Sequence, residues 1–165
     1  MARLRVDAVA PGEARALLRT CCGSSRWVER MMARIPFGGP ESLQAAAREE
    51  WFALTRDDWI EAFRHHPKIG DVEGLRRRFA DTRHLAAQEQ AGVAGAPEDV
   101  LAALAAGNAE YQNKFGYIFI VCASGLTAAE MLKILRARLA NDPESELLAA
   151  AEEQAKITAL RLNNL

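Results

Sequence analysis

No apolar run in these 165 residues approaches the roughly 20 needed to span a bilayer. A helical membrane span is therefore not expected. Neither sign of charge is in excess, since 21 Lys+Arg meet 22 Asp+Glu for a net charge of -1. That balance lacks the electrostatic footprint of a protein that binds nucleic acid or an anionic membrane. A bound anion must instead be met by a few placed cations inside a site. Cysteine is scarce: Cys21, Cys22 and Cys122 make neither a disulfide framework nor a Cys-x-x-Cys metal site. A reducing cytosol is the expected compartment. The opening MARLRVDAVAPGE has basic residues without a following apolar stretch, so it is not expected to be a secretory signal. There is no His-Glu-x-x-His, no Cys/His pair at ligand spacing and no carboxylate cluster around a histidine, so no metal is expected.

What is present is ordinary globular material, 50% hydrophobic and 26% charged, which excludes disorder as a description of the whole. The length suits one domain with its own core, and no repeat or low-complexity linker divides residues 1–165. The pattern predicts an all-α domain of about eight helices. Pro11 suits a first helical position, followed by the apolar Leu17, Leu18 and Cys21. Gly23 ends that helix, and Ser24 or Ser25 caps one carrying Trp27, Val28, Met31, Met32 and Ile35. Pro36-Phe37-Gly38-Gly39-Pro40 reads as a loop. Leu43, Ala47, Trp51 and Leu54 form the stripe of a third helix, and Thr55 with Asp58 forms a capping box for a short helix bearing Trp59 and Phe63.

Between His65 and Asp71 the periodicity breaks. Pro67 disfavours helix at His66 and Gly70 admits an unusual backbone angle, so this stretch reads as a turn. Short helices are expected around Val72 to Phe79 and Leu85 to Gln90. Pro97 opens a long one with Val100, Leu101, Leu104, Asn108, Tyr111 and Phe115 on one side, interrupted at Gly116. Tyr117 to Ala123 is almost wholly apolar, and periodicity does not choose between strand-like and buried helical backbone there. Thr127 and Glu130 form a second capping box ahead of Met131, Leu132, Leu135 and Leu139, and Asp142-Pro143 starts the last helix.

Only three histidines are available for proton transfer near neutrality: His65, His66 and His84. His66 sits beside a proline in a turn, where the backbone fixes its direction. The bland reading is a helix-ending histidine in solvent or bonded to a carbonyl. His65 is its neighbour, points elsewhere and reads as structural or solvated. Glu89 and Gln90 read as surface residues closing a short helix, and Asn108 as a group satisfying backbone. Arg161 shares a face with Gln154 and Ile157, so its guanidinium can turn inward or form a surface ion pair.

Taken together these residues are far more specific. His66-Pro67-Lys68-Ile69-Gly70-Asp71, then Glu89-Gln90-Ala91-Gly92-Val93, then Asn108-x-x-Tyr111-x-x-Lys114-Phe115-Gly116 running into Phe119 to Ala123, occur in that order. The pattern resembles the 2-oxo-4-hydroxy-4-carboxy-5-ureidoimidazoline (OHCU) decarboxylase family of urate degradation. The likeness extends upstream through Cys22, Trp27, Arg34-Ile35-Pro36-Phe37 and Asp58 to Phe63, and downstream to Arg161-Leu162. It implies an all-helical, cofactor-free homodimer that turns OHCU into (S)-allantoin and carbon dioxide.

The resemblance also implies roles. His66 matches the catalytic histidine, Glu89 the acidic partner and Arg161 the cation near the substrate carboxylate. Pro67 and Gln90 match substrate-binding positions, and Phe119, Ile120, Val121, Cys122 and Ala123 the segment that lends backbone groups. Ala86 stands where many members have a serine, so a hydroxyl contact to substrate is missing. The chemistry needs no cofactor, because the electrons released with carbon dioxide can flow into the substrate's own ring carbon–nitrogen double bond. Two alternatives differ in class: a helical small-molecule-binding module without catalysis, and an enzyme acting on a related hydantoin-like purine catabolite.

Overall fold

The computed structural model describes residues 3–66 and 97–165. The expected short helices between Val72 and Gln90, and the turn beyond His66, lie outside them. Among the described residues there are eight helices and no strand. They are α1 Arg5–Ala8, α2 Pro11–Cys21, α3 Ser25–Met32, α4 Pro40–Phe52, α5 Arg56–Arg64, α6 Glu98–Phe115, α7 Ala128–Leu139 and α8 Pro143–Leu162. The chain is all-α, as its periodicity predicts. It forms two compact units: Met1–His66 with Ala151–Leu165, and Pro67–Ala150.

In the first unit the predicted helix boundaries are set by side-chain chemistry. The Ser24 hydroxyl accepts from Trp27 N at 3.3 Å and starts α3. At α5, Asp58 Oδ2 accepts from Thr55 N at 3.1 Å while the Thr55 hydroxyl accepts from Asp58 N, a complete capping box. The loop before α4 is closed by Asp7, whose two carboxylate oxygens accept from Phe37 N and Gly38 N at 2.9 Å each. Helix α1, which supplies Asp7, has no apolar repeat of its own and is not foreseen by the sequence reading.

Three tryptophans organise the core of this unit. Each buries its rings and gives its indole N–H to a helix carbonyl: Trp27 to Ala47 O at 3.0 Å, Trp51 to Ala151 O at 2.9 Å, and Trp59 to Trp51 O at 2.9 Å. Burying a large apolar side chain is worth about 1.5–3 kcal/mol, against about 1 kcal/mol net for a hydrogen bond. Packing therefore supplies the stability, and the N–H bonds select which helices meet: α3 on α4, α4 on α8, and α5 on α4. The surface ion pairs, such as Arg48 with Glu152 and Arg34 with Glu49 and Glu50, are solvated and contribute little.

In the second unit α6 ends at Gly116, whose φ of 85° is the left-handed cap that glycine adopts without strain. From Tyr117 to Ala123 the backbone is neither helical nor paired as a strand. Tyr117, Ile120 and Val121 are buried, and Phe119 rests on Tyr111 with ring centroids 5.3 Å apart. A second complete capping box, Thr127 with Glu130, starts α7. The Asp142 carboxylate accepts from Ser145 N at 2.9 Å at the start of α8.

Candidate functional site

His66 follows directly on α5. Its backbone N–H donates to Phe63 O at 3.2 Å, and Phe63 is fully buried, so the position of the residue is tied to the core. His65 faces another way, with Nδ1 2.9 Å from Glu61 O, and is exposed. The Glu61 carboxylate accepts from Ser25 N at 2.8 Å and from its hydroxyl at 2.6 Å. Those bonds hold the Glu61 carboxyl below its usual range. The chain passes so close at Gly23 that a Cβ there would lie 2.4 Å from His65 Cγ.

The His66 ring meets a buried amide. Its Nε2 lies 2.5 Å from Gln154 Oε1 on α8, and Gln154 is 1% exposed. Gln154 Nε2 donates to Thr158 Oγ1 at 3.1 Å, and that hydroxyl donates to Cys21 O at 3.4 Å. The same carbonyl accepts from Arg161 Nη1 at 3.3 Å. Gln154, Thr158 and Arg161 are spaced by four and three residues on α8, which puts them on one face. Cys21 O is a carbonyl at the C-terminal end of α2, where helical partners run out. The two residues read as a proton carrier and a cation thus share one hydrogen-bonded network within the first unit. Arg161 itself is exposed and follows neither expected course: one guanidinium nitrogen reaches back to a carbonyl, and no ion pair is made among the described residues.

The two cysteines beside this network are buried, and no disulfide joins them. Burial pushes the Cys22 thiol up to about 12, outweighing the lowering by Ser24, Thr158 and Arg161. Burial raises Cys21 as well. Neither is equipped to act as a nucleophile.

Phe119, Ile120, Val121, Cys122 and Ala123 belong to the second unit, where a charged cluster fixes their backbone. Arg138 on α7 donates from Nη1 to Ile120 O at 2.5 Å, and from Nε to Glu146 Oε1 at 2.7 Å. Glu146 is wholly buried and also accepts from the Tyr111 hydroxyl at 2.5 Å and from Asn141 Nδ2 at 3.0 Å. The Arg138 guanidinium lies 4.7 Å from the centre of the Phe119 ring. Burial first, and the bond to Glu146 second, push the Tyr111 hydroxyl far up, so it stays a donor.

Pro67, Ala86, Glu89 and Gln90 lie outside the described residues. Two features of the site went unread in the sequence. Gln154 and Thr158 are polar at buried positions of α8, and a polar pair spaced by four residues on a core-facing stripe is a usable signal. Arg138 and Glu146 left a weaker one, because they lie on different helices. A cleft of about 630 Å³ lies along Gln44, Arg48, Trp51, Ala155, Thr158 and Ala159. Neither His66 nor Arg161 lines it, though Thr158 does. No group of three or more His, Cys, Asp or Glu able to hold a metal occurs among the described residues, and none of their helices is long and apolar enough to cross a membrane.

Comparison with known proteins agrees with this reading. A family model described as OHCU decarboxylase matches residues 7–163. A uric acid degradation bifunctional protein of Arabidopsis thaliana is 40% identical over 148 residues, which is 89% of this chain but 45% of that protein. The chain therefore spans less than half of that relative. An OHCU decarboxylase of Amia calva is 31% identical over 130 residues, covering 79% of this chain and 74% of its own. A crystal structure of OHCU decarboxylase in the presence of (S)-allantoin superposes with a TM-score of 0.70 at 39% identity, covering 88% of this chain and 94% of that one.

Proposed function

Because the chain belongs to the OHCU decarboxylase family, we propose that it decarboxylates OHCU to (S)-allantoin in urate degradation, without a cofactor. The match over residues 7–163 carries this reading. In the reaction the bond from the hydroxyl-bearing ring carbon to its carboxylate breaks, and carbon dioxide leaves. The electron pair forms a double bond to the ureido-bearing carbon, while the ring carbon–nitrogen π pair moves to nitrogen, which takes a proton. The hydroxyl then gives up its proton as it becomes a carbonyl, and the ureido-bearing carbon gains one. That last step creates the stereocentre, so the enzyme must deliver the proton to one face.

The residues present fit these tasks. Arg161 clamps an anionic oxygen of the substrate, His66 bonds the hydroxyl and exchanges protons, and Glu89 steers the final proton. Gln90 pairs with ureido or ring amides. Pro67, Ala86 and the Phe119 to Ala123 segment border the ring, with backbone groups and apolar side chains. An apolar wall favours a product with less charge than the substrate. A cytoplasmic homodimer is part of the same proposal.

Freshly prepared OHCU added to the protein and followed by circular dichroism tests the reading. Spontaneous decay gives a racemate, so growth of the signal of one enantiomer supports the proposal. An unchanged racemic end point and rate would overturn it. The same assay addresses the binding-module alternative, which predicts no turnover. Competition by allantoin in a thermal-shift assay addresses an enzyme acting on another ring, whose pocket should ignore it.

A further inference from the structure

We propose that Gln154 is a positioning residue that fixes the His66 imidazole in the tautomer protonated at Nε2, which leaves Nδ1 as the atom where this histidine takes up and releases a proton. The use of that proton in decarboxylation rests on the function proposed above; the tautomer does not.

The argument is one of direction. The network runs from His66 through Gln154 and Thr158 to Cys21 O. Its end is a carbonyl, which can only accept. The Thr158 hydroxyl has a single hydrogen, and it is directed away from Gln154, to Cys21 O at 3.4 Å with the Cys22 thiol as its other neighbour. Thr158 Oγ1 must therefore accept from the next residue, so Gln154 turns its NH₂ toward Thr158 and its oxygen toward His66. An amide oxygen carries no proton, so the hydrogen in the 2.5 Å contact sits on His66 Nε2. A neutral imidazole with Nε2 protonated has its lone pair on Nδ1.

Reversal is disfavoured at each link. Turning the amide over would put its N–H against His66 and demand the Thr158 proton for its oxygen. Cys21 O would then lose its hydroxyl donor. Gln154 is 1% exposed, so water does not stand in for a partner its amide loses. Cys21 O thus acts as a sink for two donors, and the polarity it imposes is read out three side chains away.

Nitrogen-15 histidine NMR on the whole protein tests this directly, at a pH where the His66 ring is neutral. The expected result for His66 is a pyrrole-type Nε2 with a resolved N–H proton and a pyridine-type Nδ1. A resolved ring N–H marks a held proton, since an imidazole in solvent exchanges it away. An Nδ1–H pattern, or no resolved N–H, overturns the proposal. In Gln154→Leu the N–H resonance should vanish and kcat should fall about tenfold at little-changed KM, one hydrogen bond's worth of orientation. Thr158→Val, which removes only the direction-setting hydroxyl, should weaken the resonance and lower kcat by a smaller factor. Wild-type spectra and rates in both variants would overturn the assignment. If Gln154→Leu does not fold, the wild-type spectrum and Thr158→Val still decide. If the protein spares OHCU altogether, the proposed reaction fails while the tautomer is judged on the spectrum alone.

Discussion

The His66 network and the Arg138 network bury polar groups in opposite ways. Around Arg138 two full charges are removed from water and balanced against each other, with a phenol and an amide completing the coordination of Glu146. Around Gln154 the buried groups are neutral, and what they transmit is the direction of a hydrogen. The first arrangement suits holding a backbone still, here at Ile120 O. The second suits controlling a ring that must change protonation. Removing one member of a buried ion pair leaves an uncompensated charge, whereas a neutral relay carries none.

Removing the titrating ring makes the sharpest test of that contrast. His66→Ala is expected to lower kcat for OHCU by roughly 10²- to 10⁴-fold, the usual range for losing a general acid–base group. Its thermal midpoint should fall only modestly, because His66 is half-buried and the main structural loss is the partner of the Gln154 amide oxygen. A folded variant with wild-type turnover would remove His66 from the mechanism. Glu146→Gln should show the reverse pattern of cause. It leaves the buried Arg138 without its counter-charge, which typically costs about 3–5 kcal/mol. Urea unfolding measures this, and any loss of activity should follow from loss of the fold. A stability loss under about 1 kcal/mol would mean that the cluster is less dry than its burial indicates.

The next effect in size concerns how the His66 end of α5 is seated. Gly23→Ala places a methyl group 2.4 Å from His65 Cγ and 2.6 Å from its Cβ. The second of these atoms is next to the backbone, so a rotamer change alone does not relieve the clash. Overpacking of this kind costs about 1–3 kcal/mol. Because His66 is adjacent, kcat should fall as well, which denaturation and steady-state kinetics measured together would show. A variant with wild-type stability and kcat would mean that the contact does not seat the histidine.

The sequence was legible where one residue type has one local job. Ser24, Thr55 with Asp58, Gly116, Thr127 with Glu130 and Pro143 all set helix limits at the positions their chemistry predicts. The core stripes of Leu43, Ala47 and Trp51, and of Trp59 and Phe63, are buried as the spacing predicts, whereas Leu54, expected on the same helix, is buried just past its end at Phe52. Tyr117 to Ala123 was not legible, because a run apolar on every side carries no periodicity. What decides its backbone is Arg138, fifteen residues or more away, which supplies a donor to Ile120 O. The same limit applied to the site. His66 and Arg161 could be singled out by type and motif, but their link runs through a carbonyl of Cys21, and nothing in a sequence marks which carbonyl accepts.

The smallest expected effect bears on the cysteines that flank the neutral network. Cys22 is 1% exposed, and its thiol is pushed up to about 12 by burial. At pH 8 its thiolate is therefore a negligible fraction, and reaction needs both exposure and deprotonation. Cys21 is equally buried and its thiol is also raised. Cys122 is half-buried in the non-helical segment. Iodoacetamide at pH 8 should label Cys122 first and leave Cys21 and Cys22 intact until the first unit opens. Mass spectrometry of the native protein against a urea series would give the order. If Cys22 were labelled as fast as Cys122 under native conditions, the carbonyl of Cys21 would be reached by water. That would deny the neutral network the dryness on which its fixed direction depends.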